Sequence, residues 1–86
     1  MNNVLHLKIL NLPYQNPKRA LTKRQREVLE WVADGKTIQD IATLLGRTTA
    51  TVEKHLRLAR ESLSVETTPQ AVVKATFLNQ MFKIEG

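Results

Sequence analysis

The segment from Arg47 to Arg60 concentrates hydrogen-bond donors that could bind an anion. Its sequence is RTTATVEKHLRLAR. It contains four basic residues and one acidic residue, Glu53; the basic residues are Arg47, Lys54, Arg57 and Arg60. Arginine can donate two parallel hydrogen bonds to a phosphate or to the edge of a guanine, and glutamate can accept one from cytosine N4. The residue types in this segment therefore suggest a polyanionic partner, with nucleic acid first and an acidic membrane surface second.

The apolar residues of the same segment predict the element that positions these donors. They recur at the spacing of one helical face, at Val52, Leu56, Ala59 and Leu63. This pattern predicts a helix over Thr49–Leu63 with Thr48 as its N-cap. At about 100° per residue, the charged side chains then lie opposite or beside the apolar face.

Two shorter helices are predicted before it. The first covers Lys23–Ala33, where Thr22 and Gln25 have the spacing of a capping box. The second covers Ile38–Leu45, is capped by Thr37, and is followed by a short turn that contains glycine. Two helices joined by such a turn, of which the second is longer and basic, are typical of a helix-turn-helix. The major groove of duplex DNA admits one α-helix.

A fourth helix is predicted over Gln70–Phe82, with Pro69 in its first turn. One apolar stripe, expected to pack inward, consists of Ala71, Ala75, Leu78 and Phe82. A second stripe consists of Val73, Phe77 and Met81. Because one stripe suffices to pack a helix on its own domain, the second needs a further partner. Either a second copy of the chain or a folded-back segment 1–12 could cover it.

The remaining sequence features indicate the domain organisation and the class of protein. Residues 1–20 differ from the helical part: Leu5, Leu7 and Ile9 alternate with polar residues as in a short strand, and a linker follows. Residues 21–86 form the predicted all-α domain. The net charge is +5, cysteine is absent, and no apolar run approaches the ~20 residues of a membrane span. We expect a cytoplasmic protein without a metal or cofactor.

An enzyme is not expected. His55 is the one candidate for a catalytic base in the helical part of the chain, and no nucleophile or carboxylate constellation accompanies it. A structural or phosphate-contacting role is the more economical interpretation of this histidine.

The stretch LTKRQREVLEWVADGKTIQDIATLLGRTTATVEKHL resembles the LuxR-type helix-turn-helix domain, and the similarity extends to about Phe82. EVLEWVADGKT and PQAVVKA are most similar to the branch of quorum-sensing regulators that bind acyl-homoserine lactones. The resemblance implies a four-helix DNA-binding domain that dimerises through its last helix. The matching residues are Leu21, Thr22, Arg24, Glu27, Val28, Leu29, Gly35, Lys36, Thr37, Ile41, Ala42, Thr51, Val52 and His55.

The resemblance also implies roles for individual residues. The base-facing positions correspond to Glu53, Lys54 and Arg57, although Glu53 and Arg57 could instead pair with each other along the helix. Contacts to the DNA backbone are expected from hydroxyls, helix N-terminal amides and cations. The residues expected to make them are Lys36, Thr37, Arg47, Thr48, Thr51 and Arg60.

The sequence therefore predicts a transcription regulator that binds operator half-sites on double-stranded DNA as a homodimer through its last helix. A sigma-factor region is a related alternative, against which the fourth helix argues. A different alternative is a short LuxR-like chain that forms heterodimers with a full-length regulator and inhibits it. Glu53, together with the departures from the family pattern at Leu58 and Ser62, keeps this alternative open.

Overall fold

Four α-helices make up the part of the chain that the computed structural model describes, residues 19–78. They are α1 (Lys23–Ala33), α2 (Ile38–Leu45), α3 (Thr49–Leu63) and α4 (Thr68–Phe77). No strand occurs between residues 19 and 78, so the all-α fold is confirmed. The strand and linker predicted within residues 1–18, and the helical residues predicted after 78, lie outside the described range.

The bounds of the first three helices agree with the prediction, whereas α4 begins two residues earlier than expected. Thr67 is its N-cap, and Pro69 occupies the first turn as predicted. The ring of a proline is tolerated throughout the first turn, because the amide groups there have no partner within the helix. α4 ends at Phe77 with Leu78 as its C-cap, short of the predicted Phe82.

Threonine begins each of the four helices. In each case the hydroxyl accepts a hydrogen bond from the backbone amide three residues later, at 3.0 to 3.2 Å. In α1, α2 and α4 the side chain at that third position also accepts from the backbone of the cap, which completes a capping box. The four caps are Thr22, Thr37, Thr48 and Thr67.

α3 is the central helix: it packs against each of the other three more extensively than α1, which also contacts all three. Its predicted apolar stripe is buried along its whole length. From α4, Ala71 and Ala75 are buried as predicted, and Leu78 packs at the margin of the core. The buried hydrophobic residues are Leu21, Val28, Leu29, Ile41, Ala42, Val52, Leu56, Ala59, Leu63, Val65, Ala71 and Ala75.

The turn between α2 and α3 consists of three residues and is held by two backbone bonds. Gly46 has φ 65° and ψ 38°, the left-handed conformation, which glycine adopts without steric cost. Its amide donates to Thr43 O at 3.2 Å, and the amide of Arg47 donates to Ala42 O at 2.9 Å. This helix stop fixes the direction in which α3 leaves α2.

The end of α3 repeats this conformation without a glycine. Ser64 has φ 60° and ψ 44°, and the amide of Val65 donates back to Arg60 O at 3.0 Å. The hydroxyl of Ser64 is buried and has no hydrogen-bond partner in the described part of the chain. The left-handed conformation costs a residue with a Cβ roughly 1–2 kcal/mol.

We expect Ser64→Gly to raise the free energy of unfolding by up to about 1 kcal/mol, because it removes both the strain and the unsatisfied hydroxyl. The greater flexibility of glycine in the unfolded chain offsets part of this gain. Urea denaturation followed by circular dichroism measures the difference. Ser62→Gly is the matched control, since Ser62 lies within α3, where glycine should lower stability. A loss of stability in Ser64→Gly would contradict the prediction.

Candidate nucleic-acid interface

The side of α3 opposite the core presents the three residues predicted to face bases. Glu53, Lys54 and Arg57 are all exposed, whereas Val52 and Leu56 beside them are buried. The structure thus brings the three candidates together on one accessible face, within two turns of one helix. That face offers an ammonium, a guanidinium and a carboxylate to a partner.

Arg57 forms an ion pair with Glu61 instead of the Glu53 pair considered as an alternative. Its Nε lies 3.9 Å from Glu61 Oε2, and both side chains are more than half exposed. An exposed pair at this helical spacing contributes only about 0.3–0.5 kcal/mol. A base or a phosphate can therefore displace Glu61 at little cost.

The N-terminus of α3 is better suited to an anion than that of α2. Thr48 Oγ1 accepts from the amide of Thr51 and lies 3.2 Å from the Thr51 hydroxyl, and the first turn of α3 contains no acidic residue. In α2, Asp40 occupies the first turn and bonds to Thr37. Hydrogen bonds from the backbone and hydroxyl of Thr37 lower the pKa of Asp40. This carboxylate stays charged at neutral pH and opposes a phosphate at Thr37.

The three cations expected at the DNA backbone are placed differently. Arg47 is exposed in the turn before α3. Lys36 is also exposed, with its Nζ 3.7 Å from Asp34 Oδ2. Arg60 is half-buried, and its Nη1 donates to Thr68 Oγ1 at 3.0 Å, which ties α3 to α4. A guanidinium has five donors, so this bond leaves others available, but Thr68 fixes the orientation of Arg60.

His55 marks a cluster of positive charge that joins α1 to α3. Burial lowers the pKa of His55, and the nearby charges of Arg24, Lys54 and Arg47 lower it further. Arg24 belongs to α1, where its Nε also lies 3.6 Å from Glu27 Oε1. The sequence prediction treated Arg24 only as a family match, because nothing in the sequence shows that α1 approaches the exposed side of α3.

Two departures from the family pattern lie away from the exposed face of α3. Ser62 is buried, so it bears on packing more than on binding. Leu58 is half-buried. Within residues 19–78, no group of histidine, aspartate and glutamate is arranged to hold a metal ion. None of the described helices has the length and hydropathy needed to cross a bilayer.

Comparison with known proteins identifies the family. Residues 19–75 match the family model of bacterial regulatory proteins, luxR family. The chain is 40% identical over 58 residues to the transcriptional activator AnoR of Acinetobacter nosocomialis, covering 67% of this chain and 24% of that protein. It is 38% identical over 72 residues to the quorum sensing-dependent transcriptional regulator RpaR of Rhodopseudomonas palustris, covering 84% and 30%.

LuxR, a transcriptional activator of Aliivibrio fischeri, is 35% identical over 66 residues, covering 77% of this chain and 26% of that protein. The chain therefore spans between about a quarter and a third of the length of these relatives.

Solved structures agree with the sequence comparisons. The transcription factor GerE has a TM-score of 0.69 at 25% identity, covering 77% of this chain and all of that one. SdiA in complex with octanoyl-rac-glycerol has a TM-score of 0.64 at 28% identity, covering 85% of this chain and 30% of that one. The helix order, the exposed basic face and these similarities lead to one assignment. The chain belongs to the LuxR family of bacterial regulatory proteins and carries its DNA-binding helix-turn-helix domain.

Proposed function

We propose that this chain binds double-stranded DNA sequence-specifically by placing α3 in the major groove, and regulates transcription without catalysing a reaction. The observation that carries the proposal is the division of α3 into a fully buried apolar side and an exposed side with mixed donors and acceptors. A helix held by the core on one side can enter a groove as a rigid body. We place such a regulator in the cytoplasm. We also propose for this chain a role in quorum sensing, as named for RpaR.

Base recognition is assigned to the three exposed side chains of α3. Arg57 suits a bidentate contact with guanine O6 and N7, and Lys54 a single contact with the same acceptors. Glu53 can accept from cytosine N4 and repels phosphates, so it favours a position over bases. Since Arg57 gives up only an exposed pair with Glu61, its contact with a base is little opposed.

Contacts to the DNA backbone are assigned to the N-terminal ends of α2 and α3 and to the cations around them. The acid-free first turn of α3 makes Thr48 and Thr51 the strongest of these positions. Arg47, exposed in the preceding turn, lies on the same side of the domain. Lys36, Thr37 and Arg60 complete the proposed set, with Thr37 opposed by Asp40 and Arg60 held by Thr68.

A dimer through α4 is the second part of the proposal. Val73 and Phe77 are four residues apart on α4 and half-buried, so part of each side chain is accessible to a partner. Met81, the third residue of this stripe, lies outside the described residues. Two copies related by a two-fold axis would place the two α3 helices in half-sites about 34 Å apart. The same stripe could instead hold another LuxR-type regulator, which is the heterodimer alternative.

We expect Arg57→Ala to lose about 1–3 kcal/mol of discrimination at one base pair. Arg47→Ala is the matched control, because it removes an exposed arginine that is assigned to phosphate. It should weaken binding to all sequences alike and make the slope of log K against log salt shallower by about 0.9. Selection from random duplexes, followed by titrations at several salt concentrations, measures both effects. An unchanged motif for Arg57→Ala would show that this residue does not recognise a base.

We expect affinity for DNA to increase as the pH falls from about 8 to 5.5, by less than tenfold per unit. In the free protein, burial and neighbouring cations hold the pKa of His55 below its usual 6.5. Phosphates of bound DNA would raise it, so binding takes up a proton. His55→Gln should flatten the profile, whereas His6→Gln, the matched control, should preserve it. A pH response that survives His55→Gln would assign it to another group.

The same shift has the opposite effect on the free protein. Because the folded-state pKa of His55 is below the unfolded value, the unfolded chain binds more protons as the pH falls below about 6.5, and stability decreases. Circular dichroism at each pH therefore accompanies the binding measurement, so that affinity is compared only where the chain is folded.

We expect Phe77→Asp to separate the dimer, because it places a charge in the contact between copies. The variant should remain helical, sediment as a monomer, and bind a single half-site as wild-type monomer does. Thr76→Asp, at an exposed neighbouring position of α4, is the matched control and should still dimerise. An unfolded Phe77→Asp would place Phe77 in the core, and a folded, dimeric variant would locate the contact elsewhere, with residues 1–12 first to be tested.

The heterodimer alternative has its own outcome. If the wild-type chain bound no duplex from a random pool at low salt but inhibited DNA binding by another LuxR-type regulator, the inhibitory role would replace the one proposed here.

A further inference from the structure

Lys74 of α4 is a charged residue enclosed in the core. Its side chain has no solvent exposure, and its Nζ donates to the backbone carbonyl of Leu63 at 2.7 Å. Leu63 is the last residue of α3, where carbonyl groups have no partner within the helix and the helix dipole is negative. A buried ammonium costs free energy unless such a partner satisfies it. The bond therefore connects the end of α3 to the interior face of α4.

α4 packs on both α3 and α1, and small side chains make up most of its buried face. The buried face of α4 consists of Ala71, Lys74 and Ala75, so its apolar part is two methyl groups. Val72 and Leu78 pack only at the margin of the core. Small side chains let two helices approach closely but interlock little, so rotation and sliding meet modest steric resistance. Directional hydrogen bonds between α3 and α4 therefore add to the definition of their register.

A second polar bond lies along the same joint. Arg60 Nη1 donates to Thr68 Oγ1 at 3.0 Å, one turn before Leu63 on α3 and nearly two turns before Lys74 on α4. Two bonds that are separated along both helices define a translation as well as a rotation. The Lys74 bond is the less replaceable of the two, because water cannot reach it to substitute for either partner.

We propose that Lys74 is a positioning residue for operator recognition, whose bond to Leu63 O fixes the orientation of α3 relative to α4. The inference rests on the proposed dimer through α4. If α4 carries the two-fold axis and α3 carries the base contacts, the joint between them sets the distance and the rotation between the two recognition helices. Lys74 then determines which half-site spacing the dimer accepts, although it does not touch DNA.

The first arm of the test measures the joint in the free protein. The chain has no cysteine, so Ala50→Cys and Thr76→Cys, both at exposed positions, carry spin labels on α3 and α4. Mixing with excess unlabelled chain isolates the distance within one protomer. Electron dipolar spectroscopy should give one narrow distance distribution with Lys74, and a broader or shifted one with Lys74→Met, which retains the apolar stem and removes the donor.

The second arm measures spacing on DNA, using unlabelled protein and the operator selected by the wild-type chain. Duplexes carry two half-sites at the preferred spacing or shifted by one base pair, which rotates one half-site by roughly 35°. The wild type should prefer its spacing by at least about tenfold, and Lys74→Met by less than about threefold, with single half-site affinity retained within about threefold.

Ile41→Val is the control for a general loss of stability, because it truncates a fully buried side chain of α2 outside this joint. It should keep both the narrow distance and the spacing preference. Should Lys74→Met lack helical circular dichroism, Lys74→Leu, which also removes the donor, takes its place with the same expectations.

The outcomes separate this inference from the function on which it rests. Unchanged distance and spacing preference in Lys74→Met would overturn it, and so would equal losses on half-sites and paired sites, which indicate a structural role alone. A wild-type chain without any spacing preference would instead contradict the proposed dimer. The proposal that Lys74 determines the half-site spacing would then be wrong as well.

Discussion

The fold depends on one constraint: a single helix, α3, has to satisfy three neighbours at once. Its buried stripe of Val52, Leu56, Ala59 and Leu63 is shared between α1, α2 and α4, because each of them packs against it. Full burial of a side chain of this size contributes about 1.5–3 kcal/mol, which is a large fraction of the stability of a small domain. Because the core fixes the buried side of α3, it also fixes the direction in which the exposed side points. No further contact is needed to orient the binding surface.

The parts of the structure that could be predicted from sequence are those specified by neighbouring residues. A threonine hydroxyl that caps the amide three residues later is a local event, so Thr22, Thr37 and Thr48 located three helix starts. The same pattern occurs at Thr67 and Gln70, which form a capping box, so α4 begins two residues before the predicted start. Proline is compatible with more than one position of a first turn, whereas the cap is specific.

The parts that could not be predicted arise from contacts between helices. In sequence, Lys74 is one more cation, and only the packing of α4 on the end of α3 encloses it. From the sequence, the simplest interpretation of Arg60 is a contact with phosphate. The structure shows that it also donates a hydrogen bond to Thr68, eight residues later. Arg24 joins the charge around His55 only because α1 lies against α3. The spacing of residues along one helix carries no information about which neighbour faces it.

Several polar groups of the proposed binding face already have partners within the chain. The strength of each existing contact determines how easily that group can bind DNA instead. The ion pair between Arg57 and Glu61 is exposed and weak. Breaking it therefore costs little compared with the roughly 1–3 kcal/mol that a good base contact contributes. The cap at Thr48 need not be broken at all, because its oxygen accepts from the helix while free amide groups of the first turn point outward. Arg60 would have to share its guanidinium with Thr68. Binding to DNA thus requires least rearrangement at the N-terminal half of α3 and most at its C-terminal end, where Arg60 also bonds to Thr68 of α4.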